Sequence, residues 1–147
     1  MSHNLDRFLE AQDPIYSDVT AELAAGLKTT HWMWFVFPQI SGLGSSPWAK
    51  LYAIGSLQEA VDYAGHSVLG TRLRECVSLV LATRGLSAEE IFGKVDARKL
   101  QSSMTLFSRA VPEEGLFREV LERFYAGGAD PATEEILANS AGDPGEA

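Results

Sequence analysis

Residues 31–39 read His-Trp-Met-Trp-Phe-Val-Phe-Pro-Gln, and this stretch decides the fold. It contains six consecutive apolar side chains, of which four are aromatic. An aromatic side chain removes about 150–250 Å² from water when it is buried, so the segment can anchor a small core. Because no face of the segment is polar, we expect it to be buried. The run is shorter than the roughly 20 residues that cross a bilayer, so we expect no membrane partner.

The same stretch has the residue types of either a strand or a short helix. Aromatic residues and valine favour strands. No second segment has a convincing strand pattern, however, and an unpaired strand in a core would leave its amides unsatisfied. Pro38 disfavours helical backbone at the residue before it. We therefore predict a short helix or helical turn that ends before Pro38, and no sheet of three or more strands.

The rest of the chain carries helical patterns. Apolar residues recur at helical spacing in six further segments, which are 5–12, 15–27, 57–64, 68–84, 97–110 and 115–126. The last residues, 139–147, have no apolar anchor. We predict an all-α fold: a single compact domain of about seven to nine short helices over residues 1–138, followed by a disordered tail at 139–147.

Short polar residues mark several helix starts. Ser46 precedes Pro47, which is the residue favoured at the first helical position. Ser56 and Ser87 each stand three residues before a glutamate, which is the capping-box spacing. Asp96 is predicted as the N-cap of a helix that runs to about Ala110.

The composition is that of an acidic globular protein. The 147 residues are 46% hydrophobic and 22% charged, with a formal net charge of −8. This charge argues against binding to a nucleic-acid backbone. The lone cysteine, Cys76, has apolar neighbours and is predicted to be a small buried hydrophobe. The first residues lack the apolar core of a signal peptide, so we expect a cytoplasmic location.

Two unusual motifs resemble a bacterial family of unknown function. The first is the stretch at 31–39, and the second is Lys-Leu-Gln-Ser-Ser-Met-Thr-Leu-Phe at 99–107. The likeness covers about residues 5–137, and some members of that family carry a loose calpastatin label. The resemblance implies an α-helical fold and no established activity. Calpastatin-type inhibitors are long, disordered polar repeats, so we do not expect calpain inhibition from a chain patterned for a folded core.

One candidate site lies on the predicted 97–110 helix. Asp96, Lys99, Ser102 and Ser103 interrupt an otherwise regular amphipathic pattern. A lysine in the first turn is opposed by the positive end of the helix, and adjacent serines are mediocre helix formers. An anion bound by the lysine, the hydroxyls and free backbone amides would explain both. Alternatively, Asp96 caps the helix, Lys99 is solvated and the serines permit close packing.

The second candidate site lies in the aromatic stretch. His31 can act as an acid, a base or a hydrogen-bond donor. Trp32 and Trp34 can stack on a planar ring, and Gln39 offers both a donor and an acceptor. Alternatively, the indoles are core residues, His31 bonds a backbone carbonyl and Gln39 satisfies the loop after Pro38.

Other chemistries lack support in the sequence. His3, His31 and His66 have no metal-ligand spacing and no cysteine pair exists, so we predict no metal site. Neither a strained Gly-x-Ser-x-Gly elbow nor a dinucleotide fingerprint occurs, so the sequence identifies no cofactor and does not decide whether the protein is an enzyme.

Two function classes remain. The first is a small-molecule site in which the aromatic stretch and the 96–103 helix start line one pocket, with His31 and Lys99 as reactive groups. Stacking combined with an anion contact would suit a nucleotide-like or ribose-phosphate-like ligand. The second class is a protein-interaction or regulatory module without catalysis. Convergence of His31, Lys99 and Ser102 favours the first class, and dispersal favours the second.

Overall fold

The computed structural model describes residues 4–141, and this part of the chain forms ten α-helices and no sheet. The helices are α1 (Asp6–Gln12), α2 (Tyr16–Ala25), α3 (Met33–Val36), α4 (Pro47–Leu51), α5 (Leu57–Gly65), α6 (Leu69–Ala82), α7 (Ala88–Phe92), α8 (Lys94–Ala110), α9 (Leu116–Tyr125) and α10 (Pro131–Ala141). The described residues include one isolated parallel β-bridge, between Ile40 and Ile54. The all-α, single-domain prediction is confirmed.

The predicted tail overlaps the end of α10. Helix α10 extends to residue 141, so the helical part passes the predicted end at residue 138. The rest of the predicted disordered tail, 142–147, lies outside the described residues, and so does His3. Within residues 4–141, no helix combines the length and apolarity that a membrane crossing requires.

Helix α8 is the centre of the domain. It is the longest helix, with 17 residues, and it packs against α5, α7, α9 and α10. Its buried face carries Leu100, Met104 and Phe107, as the sequence pattern predicts. Helix α6 packs against α2, α5 and α9, and α1 packs against α3. The start of α8 also lies beside the aromatic segment, because the Lys99 ammonium lies over the Trp34 ring.

Helix α3 carries the aromatic segment through the core. Trp32 and Phe35 are buried, as expected for this segment, while Trp34 is half-buried. The ring of Trp32 contacts the rings of Phe37 and Phe92 at centroid distances of 6.3 and 6.5 Å. Trp32 therefore links Phe37, near the C-terminal end of the segment, to Phe92 on α7.

Glu22 on α2 holds the entry to this segment. Its carboxylate accepts hydrogen bonds from the backbone amides of Thr29 and Thr30, from the Thr30 hydroxyl and from the Trp32 indole, at 2.6–3.1 Å. Partial burial alone would raise the pKa of this carboxyl, but the hydrogen bonds of Thr30, Thr29 and Trp32 lower the pKa of Glu22 to about 2. One ionised side chain thus positions the whole turn before α3.

Gln12 ties α3 to three other helices. Its buried amide donates to the Phe35 carbonyl at 2.6 Å and lies 3.0 Å from the Tyr63 hydroxyl. The Gln12 amide oxygen accepts from Arg72 at 3.3 Å. Because α3 has only four residues, its last carbonyls need partners from outside the helix. Gln12 supplies one of those partners.

The helix starts follow the predicted capping residues in three cases and not in a fourth. The hydroxyls of Ser46, Ser56 and Ser87 each accept a hydrogen bond from a first-turn amide, as predicted. The prediction that Asp96 caps α8 is wrong, because α8 begins at Lys94. Gly93, at φ +83°, turns the chain directly from α7 into α8, so the helix starts earlier. The Asp96 carboxylate instead pairs with Lys28.

The first stability test concerns Trp32. We expect Trp32→Ala to lower the free energy of unfolding by about 3–5 kcal/mol, because it empties a fully buried site and leaves the Glu22 carboxylate one donor short. Leu51→Ala replaces a side chain that is 52% exposed, so it should change the free energy of unfolding by less than about 0.5 kcal/mol. Urea unfolding followed by far-ultraviolet circular dichroism measures both. Equal losses in the two variants would contradict the central place of Trp32.

The second stability test concerns the charge of Glu22. Its pKa is lower in the folded chain than in the unfolded chain, so its contribution is complete above about pH 5 and is lost as the pH falls toward its folded pKa. We expect the wild type to lose more stability between about pH 6 and about pH 3 than Glu22→Gln does. Glu10→Gln, at an exposed position on α1, is the matched control and should follow the wild-type profile. Urea unfolding at several pH values measures the three profiles, and parallel profiles for all three would contradict this role of Glu22.

Candidate functional site

Lys99 and Trp34 lie where three depressions meet. The first is a small central cavity of about 70 Å³. The second, of about 410 Å³, includes His31 and is called here the histidine groove. The third, of about 450 Å³, includes Ser102 and is called the serine groove. Lys99 and Trp34 line all three, and the Lys99 ammonium lies 4.9 Å from the centroid of the Trp34 ring.

The central cavity is enclosed by the loop at 41–46 and by α4. Gly42 and Gly44 of that loop line it together with Gln39, Lys50 and Lys99. Gly42 has φ +107°, which side-chain-bearing residues rarely adopt. A Cβ at Gly44 would stand 2.6 Å from the Cβ of Ala49, so only glycine lets the loop approach α4 this closely. The two glycines therefore shape a cavity with a lysine on each of two walls.

The histidine groove brings His31 to the start of α8. His31 is exposed, and it lines this groove with Lys28, Asp96 and Lys99. Within residues 4–141 the imidazole has no hydrogen-bond partner, which differs from the alternative in which it bonds a backbone carbonyl. Both predicted reactive side chains, His31 and Lys99, thus border one groove.

The serine groove contains Ser102, which already has a structural partner. Its hydroxyl lies 3.0 Å from a carboxylate oxygen of Asp130. The same oxygen accepts hydrogen bonds from the Thr133 amide and hydroxyl at the start of α10. Ser102 therefore helps to hold the first turn of α10 beside the groove, which Gln39 also lines.

Two lysines, two indoles and one carboxylate form a connected cluster. Asp96 lies 2.8 Å from the Lys28 ammonium and 3.5 Å from that of Lys99. Lys28 also lies over the ring of Trp32, with 5.1 Å between its ammonium and the ring centroid, as Lys99 lies over Trp34. The Lys28 side chain is only 6% exposed, whereas that of Lys99 is 24% exposed. Lys28 is therefore the fixed member of the cluster, and Lys99 is the lysine that reaches the open space.

The lysines are distributed very unevenly over the molecule. The chain contains four lysines, and each of them lines at least one of the three depressions. Lys94, from the first turn of α8, faces the histidine groove. This concentration occurs in a chain whose formal net charge is −8. The site is thus an electropositive region on an acidic protein, which favours negatively charged ligands.

Two predicted site residues do not reach any of these depressions. Trp32 is 1% exposed and its indole N–H donates to Glu22, so it belongs to the core. Ser103 is fully buried, and its hydroxyl has no hydrogen-bond partner among the described residues. Both side chains lie in the packed interior and line none of the three depressions.

Three site residues were not selected from the sequence, namely Lys28, Lys50 and Lys94. Lys28 follows α2 in the sequence, where a cation suits the negative end of the helix dipole, so its position alone indicates no ligand. The backbone amide of Lys28 bonds the Ile91 carbonyl at 2.8 Å, which places its side chain near α8. A usable signal was present in the composition, because a chain with only four lysines places two of them, Lys94 and Lys99, around Asp96.

The remaining reactive side chains do not add to this site. Burial raises the pKa of the Cys76 thiol to about 12, so Cys76 is the inert buried residue that the sequence predicts. In the part of the chain that the structure describes, no group of three or more histidine, cysteine or acidic side chains is arranged to hold a metal ion.

Comparison with known proteins identifies similar chains of unknown function. A family model described as protein of unknown function (DUF1810) matches residues 2–137. The crystal structure of a conserved hypothetical protein from Mycobacterium tuberculosis is 53% identical, covers 92% of this chain and 96% of its own, and superposes with a TM-score of 0.91. No curated protein matches the chain significantly.

The cluster around Asp96 can be tested with two double-mutant cycles that share this residue. Lys28→Met should cost about 3 kcal/mol of stability, because it breaks a largely buried ion pair. The coupling energy between Lys28→Met and Asp96→Asn should exceed that between Lys99→Met and Asp96→Asn, because the second pair is longer and more exposed. Urea unfolding gives both values. A coupling at Lys99 that equals or exceeds the one at Lys28 would contradict the assignment of Lys28 as the fixed member.

Proposed function

Since the chain belongs to the DUF1810 family, whose function is unknown, we propose a function from the site itself: the protein binds a small anionic ligand around Lys99. The ligand class that suits the site is nucleotide-like or ribose-phosphate-like. The single observation that carries this proposal is the convergence of all four lysines on three adjoining depressions. An acidic protein gains nothing for solubility from grouping its lysines, so the grouping indicates a negatively charged partner.

The central cavity is the part of the site that suits the anionic group. Lys50 and Lys99 line different walls, so both can neutralise one phosphate group. Gln39 lines the same cavity and can donate a hydrogen bond through its amide. The cavity volume of about 70 Å³ leaves room for one compact group and not for a whole ligand. The remainder of the ligand must therefore extend into an adjoining groove.

The two grooves provide different contacts for that remainder. In the histidine groove, the free imidazole of His31 can donate a hydrogen bond or transfer a proton. Lys94, Val95 and Asp96 of the first turn of α8 line the same groove, and the first amides of a helix have no acceptor within that helix. In the serine groove, Ser102 is already bonded to Asp130, so its contribution is to orient the wall of the site. Lys99 lines both grooves, so it can contact the ligand whichever groove the remainder occupies.

The alternative function is a protein-interaction or regulatory module without catalysis. It predicts that His31, Lys99 and Ser102 are dispersed over the surface. Lys99 instead shares one groove with His31 and the other with Ser102. This arrangement supports the ligand-binding proposal over the alternative.

Thermal unfolding in the presence of ribose 5-phosphate tests the proposal. A ligand at 100 times its dissociation constant stabilises the folded state by about 2.7 kcal/mol, which raises the melting temperature measurably. We expect Lys99→Gln to abolish this stabilisation. Arg84→Gln removes one positive charge at an exposed position away from the three depressions, and it should retain the stabilisation.

The outcomes separate the two functions. Stabilisation of the wild type that persists in Lys99→Gln would place the anion elsewhere and contradict the proposal. No stabilisation by ribose 5-phosphate, adenosine 5′-monophosphate or inorganic phosphate would leave the interaction module as the better explanation.

A further inference from the structure

Trp48 is a large aromatic side chain held in place at the surface. It is 54% exposed and lies in the first turn of α4. Its ring is nearly parallel to that of Tyr52, with an interplanar angle of 7° and 6.1 Å between centroids. It is also stacked on Trp34, at 30° and 6.1 Å. Tyr52 is buried and Trp34 half-buried, so an ordered core supports an indole that remains open to solvent.

The helix that carries Trp48 is fixed at its start. Ser46 caps α4 by accepting from the Ala49 amide at 3.1 Å, and Pro47 occupies the first helical position. The two aromatic neighbours restrict the indole further, so little side-chain freedom is left to lose when a ligand stacks on it. Aromatic side chains with restricted motion are effective binding platforms, because the entropic cost of ordering them is already met in the free protein.

Trp48 lies directly beside the proposed anion site. The next two residues, Ala49 and Lys50, line the central cavity. Trp34 connects the two features, since its ring contacts both Trp48 and the Lys99 ammonium. The Trp34 centroid lies 6.1 Å from that of Trp48 and 4.9 Å from the Lys99 ammonium, so a nucleotide whose base lies on Trp48 can extend its phosphate toward Lys99.

We infer that the ligand carries a planar heteroaromatic ring that stacks on Trp48, so that the site takes a nucleotide rather than a sugar phosphate alone. This inference rests on the proposed function, because it assumes that the anionic group occupies the cavity between Lys50 and Lys99. It assigns the ring contact to Trp48, whereas the sequence had suggested Trp32 and Trp34. Trp32 is buried and Trp34 is half-buried beneath Lys99 and Trp48, whereas Trp48 is 54% exposed and presents the accessible ring.

The comparison of adenosine 5′-monophosphate with ribose 5-phosphate tests the inference, because the two probes share the sugar phosphate and differ in the base. Isothermal titration calorimetry should show adenosine 5′-monophosphate binding to the wild type at least about tenfold more tightly, as expected for one base–aromatic stack. Trp48→Ala should remove this difference and leave the affinity for ribose 5-phosphate unchanged. Trp48→Phe, which keeps a ring, should retain most of the difference.

Leu51→Ala is the matched control. Leu51 is on the same helix and is 52% exposed, but it takes part in no ring contact. We expect this variant to keep the wild-type difference between the two probes. A difference that survives in Trp48→Ala, or that disappears equally in Leu51→Ala, would overturn the assignment of Trp48.

The experiment also separates this inference from the function on which it rests. Equal affinity of the wild type for the two probes, with both lost in Lys99→Gln, overturns the stacking inference and retains the anion site. Absence of binding by either probe overturns both. Far-ultraviolet circular dichroism establishes that each variant is folded before its affinities are compared.

Discussion

The hydrogen bond between the Trp32 indole and the Glu22 carboxylate is the interaction on which the rest of the structure depends. A fully buried indole must find an acceptor for its N–H, since leaving that donor unpaired is costly. Glu22 provides the acceptor and at the same time binds the turn at Thr29 and Thr30. This fixes where the chain enters the core, which in turn places Lys28 and His31 next to α8 and leaves Trp34 half-buried at the grooves. The geometry of the site is thus a consequence of how one aromatic residue is buried.

Features that depend on residues close together in the sequence could be predicted from it. Ser46, Ser56 and Ser87 cap helices because the donor lies three residues away, inside the pattern that identifies the cap. Asp96 is also of a residue type favoured at N-caps, but it does not cap α8. The positive φ of Gly93 starts α8 early, and the ammonium of Lys28, 68 positions earlier in the chain, takes the Asp96 carboxylate. The sequence contains both residues but does not reveal their proximity.

The sequence likewise predicted some features of the candidate site and missed others. The sequence suggested that His31 and Lys99 face a common space, and they line one groove. It did not distinguish Trp32 from Trp34, since a helix of four residues is too short for its periodicity to show which side is buried. It also grouped Ser102 with Ser103, although a rotation of about 100° per residue sends one toward Asp130 and the other into the core. Small angular differences of this kind are set by the packing of α8 against its neighbours.

The grouping of the lysines has a further chemical consequence. Every side-chain amine of the protein lies at the three depressions, because the other eight cationic side chains are arginines. Acylating reagents and acetyl-transferring enzymes react with lysine amines and spare guanidinium groups, so the basic side chains that they modify all lie in this one region. Each such acylation removes a positive charge. An enzyme that recognises only lysine would therefore neutralise this site without binding any other part of the molecule.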